Sequence, residues 1–234
     1  GELITGGSNT IIGYQSAKSV SSGAENVVLG YQALFTADGG ESDNVVIGKH
    51  AGYYINDDSA DGNVIIGKGA GQGGAADMSS CVVIGTNAMD GTGTNAQDGT
   101  VAIGNVALGA LTSGLRNVAI GNASGTALTT GERNVFIGHD SGLTTQTVSN
   151  SIVIGNYAGA SAMTAAAGGT VAIGRLALTS LVDGGNCTAV GYQSLQDNVS
   201  GYNNTAFGYQ SLANATGAGN SSVGSQAGDL ITSG

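Results

Sequence analysis

Apolar residues arrive along this chain in short, evenly spaced clusters, each closed by a glycine. The stretch Asn44-Val45-Val46-Ile47-Gly48-Lys49-His50-Ala51-Gly52 is representative. The closing glycine recurs thirteen times, at Gly13, Gly30, Gly48, Gly67, Gly85, Gly104, Gly121, Gly138, Gly155, Gly174, Gly191, Gly208 and Gly224, with gaps of 16 to 19 residues. Counting from it, position minus one is always large and apolar: Ile in nine repeats, otherwise Leu29, Val190, Phe207 and Val223. Position minus three is mostly Val, with Ile152, and relaxes to Thr188, Thr205 and Ser221 in the last repeats. These two positions share one face of a strand, and β-branched residues favour strands. The pattern predicts one short strand per repeat, with this row facing a dry interior.

Position minus two points the other way. It runs Ile11, Val28, Val46, Ile65, Val83, Ala102, Ala119, Phe136, Val153, Ala172, Ala189, Ala206, Ser222, apolar but smaller on the whole. Strands apolar on both faces are buried on both. With no helix to cover the second face, a further copy of the chain is the expected cover.

The glycine predicts a backbone position with positive φ, or one too close to its neighbour for a Cβ. Three residues on, only Ala or Ser occurs, which predicts tight enclosure. Seven on, Val20, Ile55, Leu111, Leu128, Leu181 and Ile231 predict a second, shorter strand. Position minus four is Asn in eight repeats and Cys, Thr or Ser elsewhere. Stacked Asn side chains predict a hydrogen-bonded column.

A single unit of this size cannot offset an ordering cost of roughly 1–2 kcal/mol per residue, so the units must stack. The expectation is an all-β, parallel β-solenoid of about thirteen coils, a single repeat array over 1–234, on the order of 60 Å long at ~4.8 Å per coil. The match of Gly1–Gly6 to the last residues, from Gly228 on, suggests a fragment cut from a longer protein.

Composition narrows the function. Net charge is −10 with only six Lys plus Arg, which argues against nucleic acid as a partner. No apolar run approaches the ~20 residues of a membrane helix, so no membrane insertion is expected. There is no proline, as suits a chain whose coils donate hydrogen bonds to one another. Cys81 and Cys187 share the minus-four row six coils apart. At about 29 Å they lie beyond disulfide reach and read as buried thiols.

Candidate chemistry is sparse. Asp57-Asp58-Ser59-Ala60-Asp61-Gly62 begins like a calcium loop, but its twelfth position is Lys68 rather than Glu. A solvated acidic turn is the simpler reading. Gly67-Lys68-Gly69-Ala70-Gly71 lacks the spacing of a phosphate loop. His50 and His139 have no second His or Cys near them in sequence, and no convincing nucleophile and base stand together. No catalytic residue, metal or cofactor is therefore expected. Tyr53 and Tyr54 are the candidate ligand contacts, set against simple packing on the next coil.

The units Asn117-Val118-Ala119-Ile120-Gly121-Asn122-Ala123-Ser124 and Thr100-Val101-Ala102-Ile103-Gly104 resemble head repeats of trimeric autotransporter adhesins. Asn204-Thr205-Ala206-Phe207-Gly208-Tyr209-Gln210-Ser211-Leu212 is more similar to repeats of phage tail-fibre proteins. The resemblance covers essentially the whole chain, although these units are longer than the adhesin unit. It implies a left-handed β-roll, a homotrimer and a structural, non-enzymatic role. The setting it implies is the shaft or head of a virion tail fibre supporting host attachment, with a host glycan or protein as possible partner. A bacterial adhesin head on the outer cell surface is the alternative. A ligand-binding or carbohydrate-active single-chain solenoid ranks third.

Overall fold

A computed structural model describes residues 6–37, 39–73, 78–91, 93 and 97–232. The chain is an all-β solenoid of short parallel strands that divides into two compact units, Gly1–Asn117 and Val118–Gly234. Unit 1 holds β1 (Thr10–Ile12), β2 (Val27–Leu29), β3 (Val45–Ile47), β4 (Val64–Ile66), β5 (Val82–Ile84) and β6 (Val101–Ile103). Unit 2 holds β7 (Val118–Ile120), β8 (Val135–Ile137), β9 (Ile152–Ile154), β10 (Val171–Ile173), β11 (Thr188–Val190), β12 (Thr205–Phe207) and β13 (Ser221–Val223). Within each unit every strand pairs in parallel with the next, repeat position against repeat position, as in Val45↔Val64 and Val171↔Thr188.

The faces are the reverse of the sequence expectation. The minus-two row is the interior: Val28, Val46, Ile65, Val83, Ala102, Ala119, Phe136, Val153, Ala172, Ala189 and Ala206 are fully buried. The minus-one and minus-three rows point outward and are partly or fully exposed, from Val27 and Leu29 to Ile152 and Phe207. The cause is the narrowness of the coil. The same interior must hold the Ala or Ser at plus three and the residue at plus four, so only the smaller row fits.

Volumes are traded across that interior. In four of the five repeats with Ala at minus two (Ala102, Ala172, Ala189, Ala206) plus four is Leu (Leu108, Leu178, Leu195, Leu212); Ala119 meets Gly125. In four repeats with a larger minus two (Val46, Ile65, Phe136, Val153) plus four is Gly (Gly52, Gly71, Gly142, Gly159), whereas Val28 meets Leu34 and Val83 meets Met89. A Cβ on Gly142 would lie 2.5 Å from the Phe136 ring. Interiors are packed to crystal density, which favours such exchange.

Both readings of the repeat glycine hold. In unit 1 Gly48 has φ of +137°, and a Cβ there would meet the Gly67 carbonyl oxygen at 2.5 Å. In unit 2 Gly191 has φ of +136°, with Gly208 O at 2.2 Å. Three further positions per repeat, minus five, plus two and plus four, are left-handed throughout, including Val106, Tyr157 and Leu176. These bends leave no second strand among the described residues. Val20, Ile55, Leu111, Leu128 and Leu181 enter the core from irregular segments just after the turns instead, while Ile231 stays partly exposed. The Ala-rich connection in unit 2 adds one 3-10 turn, Ala165–Ala167, whose start is capped by Thr164.

The Asn column forms. Along it an Asn side-chain carbonyl accepts the backbone N–H of its counterpart one coil on: Asn26 from Asn44 at 3.0 Å, Asn44 from Asn63 at 2.9 Å, Asn63 from Cys81 at 2.9 Å. The amide nitrogens donate to carbonyls of the next coil, as Asn134 does to Val148 at 2.8 Å. Cys81 and Cys187 are buried free thiols that occupy this place, donating to Gln97 O and Gly201 O. Burial pushes the Cys187 thiol pKa up. Thr100 and Thr170 are buried in the same column, and neither Oγ1 has a partner among the described residues.

Candidate ligand-binding surface

Positions plus one, plus two and plus five lie outward on most coils, where side chains stack on their counterparts one coil on; Asp140 at plus two and Ala213 at plus five are buried. In unit 1 the plus-one column reads Tyr14, Tyr31, Lys49, Lys68. Tyr14 and Tyr31 stack with centroids 5.5 Å apart and planes at 15°. Lys49 Nζ sits over the far face of that pair, 5.7 Å from the Tyr31 centroid. The plus-two column is Gln15, Gln32, His50. Gln32 Nε2 donates to Gln15 Oε1 at 2.8 Å, and His50 Nε2 lies 3.1 Å from Gln32 Oε1. That pairing suits an Nε2–H tautomer. Desolvation, then the charges of Lys49 and Lys68, hold the His50 pKa below its ordinary value, so the ring is neutral at pH 7.

The plus-five column is Lys18, Phe35, Tyr53. Phe35 and Tyr53 stack at 4.8 Å, and Lys18 Nζ lies 5.0 Å from the Phe35 centroid. His50 bridges the columns, edge-on to Tyr53 at 5.3 Å and tilted against Tyr31 at 5.7 Å. Tyr54 meets Tyr53 edge-on at 4.5 Å. Of the two tyrosines singled out from sequence, Tyr53 is thus half-buried against the neighbouring coil and Tyr54 stays exposed. Both belong to a larger ring cluster that also takes in Tyr14, Tyr31, Phe35 and His50. Those residues were missed because a linear reading does not stack equal repeat positions; writing the repeats beneath one another brings out the three columns.

The other sequence candidates do not converge. Asp57 Oδ1 accepts from the Ser59 amide and hydroxyl, which lowers its pKa. Asp58 accepts from Gly40 N and Asp61 from Ser42 N. Each carboxylate of the acidic turn is therefore engaged with a different backbone amide. Among the described residues no group of three or more His, Cys, Asp or Glu could hold a metal ion. In the run after Gly67, the amides of Gly69, Ala70 and Gly71 all donate to backbone carbonyls, so they form no cradle for a phosphate.

His139 lies in unit 2, its Nδ1 2.9 Å from Asp140 Oδ2. The Asp140 carboxylate, by hydrogen bond and then by charge, pushes the Tyr157 phenol up. Unit 2 carries its own ladder: Tyr192 and Tyr209 stack at 5.4 Å and 9°, beside Gln193, Gln210 and Gln226. Arg175 caps it, 5.6 Å over the Tyr192 ring and 3.2 Å from its hydroxyl.

Among the described residues no helix is long and apolar enough to cross a membrane. Comparison with protein-family models, with curated proteins and with solved structures returned no match. The fold and surface define a class, a parallel β-solenoid with stacked aromatic columns on its outside.

Proposed function

We propose that this chain is a structural segment, shaft or head, of a homotrimeric phage or virus tail fibre that supports attachment to a host surface. One observation carries the reading. The outward minus-one and minus-three rows form an apolar stripe along each unit, from Val45, Ile47, Val64 and Ile66 to Val118, Ile120, Val135 and Ile137. Among the described residues nothing covers it fully, and its side chains stay partly exposed. Stripes of this kind mark association surfaces, and two further copies supply a self-complementary cover. The cover thus falls on these rows and not on the minus-two row. Coil-to-coil hydrogen bonds and a dry interior give a stiff element, whose coil is left-handed if it follows the adhesin heads that the repeat resembles. Its role is mechanical, at the virion tail, with no turnover.

A bacterial trimeric adhesin head, on the outer cell surface, is the second reading. The units at Thr100–Gly104 and Asn117–Ser124 favour it through their resemblance to such heads.

Sedimentation of an Ile47→Asp, Ile66→Asp variant tests the stripe. Both side chains point outward, so the fold survives by circular dichroism while the assembly falls to single chains. An unchanged assembly would remove the stripe from the interface.

A further inference from the structure

We propose that the ring and lysine cluster of unit 1 is a binding site for an acidic polysaccharide. The proposal rests on the attachment reading and names the chemistry by which attachment is made. Three observations meet at this cluster.

The first is charge. The chain has sixteen Asp plus Glu against six Lys plus Arg, yet Lys18, Lys49 and Lys68 all stand at this cluster. Lys18 and Lys49 lie over its rings, and the charges of Lys49 and Lys68 reach His50. Among the described residues none of the three is in an ion pair; the ion pairs are Arg133 with Glu132 and His139 with Asp140. In a chain rich in carboxylates, three cations have been left for something else. Asp57 and Asp58, which follow Tyr54 in sequence, accept hydrogen bonds from Ser59 and Gly40.

The second is the ring surface. Tyr14, Tyr31 and Tyr54 are 65%, 45% and 48% exposed, and ring contact is continuous from Phe35 through Tyr53 and His50 to Tyr31 and Tyr14. Aromatic rings offer apolar area with a polar tip, which suits the C–H faces and hydroxyls of a sugar. Gln15 and Gln32 add amides beside the phenols.

The third is repetition. The columns advance by one coil per step, with rings 5.5 Å apart. A polymer of pyranose units lying along them can place successive residues against successive rungs. A compact ligand would use only one.

The test is binding of the full chain, in the assembly it forms, to polygalacturonate, dextran sulfate, neutral dextran and polyglutamate, by biolayer interferometry. Polygalacturonate or dextran sulfate is expected to bind and to weaken as salt rises, while dextran binds at least tenfold more weakly. Lys18→Gln, Lys49→Gln, Lys68→Gln should weaken binding at least tenfold, and Tyr14→Ala, Tyr31→Ala comparably. Tyr192→Ala, Tyr209→Ala, in the ladder of unit 2, should leave it unchanged. The proposal is overturned if neither acidic polysaccharide binds, if polyglutamate binds as tightly, or if the tyrosine pair proves dispensable. It is also overturned if the Tyr14, Tyr31 variant loses the assembly, since those rings would then be interface. The assembly mass, measured in parallel, separates the two readings. Failure to bind by an intact trimer sinks this site alone, and a binding monomer sinks the fibre reading alone.

Discussion

Tyr14–Tyr31 in unit 1 and Tyr192–Tyr209 in unit 2 are one device built twice. Both sit on the plus-one column, both stack at about the coil spacing, and both run beside a column of glutamines. Their surroundings differ. Unit 1 adds Phe35 and Tyr53 on the plus-five column, ends its glutamine column with His50, and sets three lysines around the rings. Unit 2 has Gln196 and Ala213 at plus five, ends with Gln226, and uses its one nearby cation, Arg175, on the ladder itself. The backbone rules are therefore common property, and the two units differ in outward columns that the coil leaves free to vary.

If the scaffold is common, breaking it must cost the same in either unit. Gly48→Ala and Gly191→Ala both force a Cβ into the next glycine's carbonyl at a φ that L residues avoid. Each is expected to lose about 4 kcal/mol or more in urea unfolding. Gly224→Ala, where only Ala227 Cβ lies near, at 3.5 Å, should cost less. Unequal losses at Gly48 and Gly191 would mean that the two units do not obey one rule.

A smaller contrast comes from the interior. Gly142→Ala in unit 2 runs into Phe136 and should cost roughly 1–3 kcal/mol. Gly71→Ala in unit 1 meets its nearest atoms at 3.5 Å or more, so only its left-handed φ of +54° resists the methyl, and it should cost less, about 1 kcal/mol. Adding Phe136→Leu should recover part of the Gly142→Ala loss, through the volume exchange described above.

Thr100→Val and Thr170→Val should each raise stability by about 1 kcal/mol, because a methyl replaces a buried hydroxyl without a partner. The gain should match between units, since both threonines hold the same place in the Asn column.

The smallest effect separates the ladders by pH. The folded pKa of His50 lies below its unfolded value, so the unfolded chain binds the proton more readily. The contribution of His50 is complete above the unfolded pKa of about 6.5 and is lost as pH falls below it. His50→Gln gives unit 1 the ladder of unit 2 and should flatten that slope in thermal melts between pH 7 and pH 5.

The repeat, the strands and their parallel stacking are legible in the sequence because the glycine, the Val–Ile rows and the Asn column recur at fixed offsets. Which face is inside is not, because both rows are apolar. Alternation of period two separates the faces without ranking them. The ranking comes from the cross-section, where Ala at minus two answers Leu at plus four, and that is visible only once the two are known to meet. The expected second strand fails for a related reason. Left-handed residues such as Val106 and Leu176 run against their own preference and are held by the coil. Of the surface cluster, Tyr53 and Tyr54 were legible as neighbours in sequence. Tyr14, Tyr31, Phe35 and His50 join them only through the stacking of coils.

The central claim is that the outward Val–Ile stripe is covered by further copies of the chain. Light scattering after size exclusion tests it most directly. The account predicts a mass three times the 22.7 kDa of one chain. A particle of 22.7 kDa, with the stripe left in water, would contradict it.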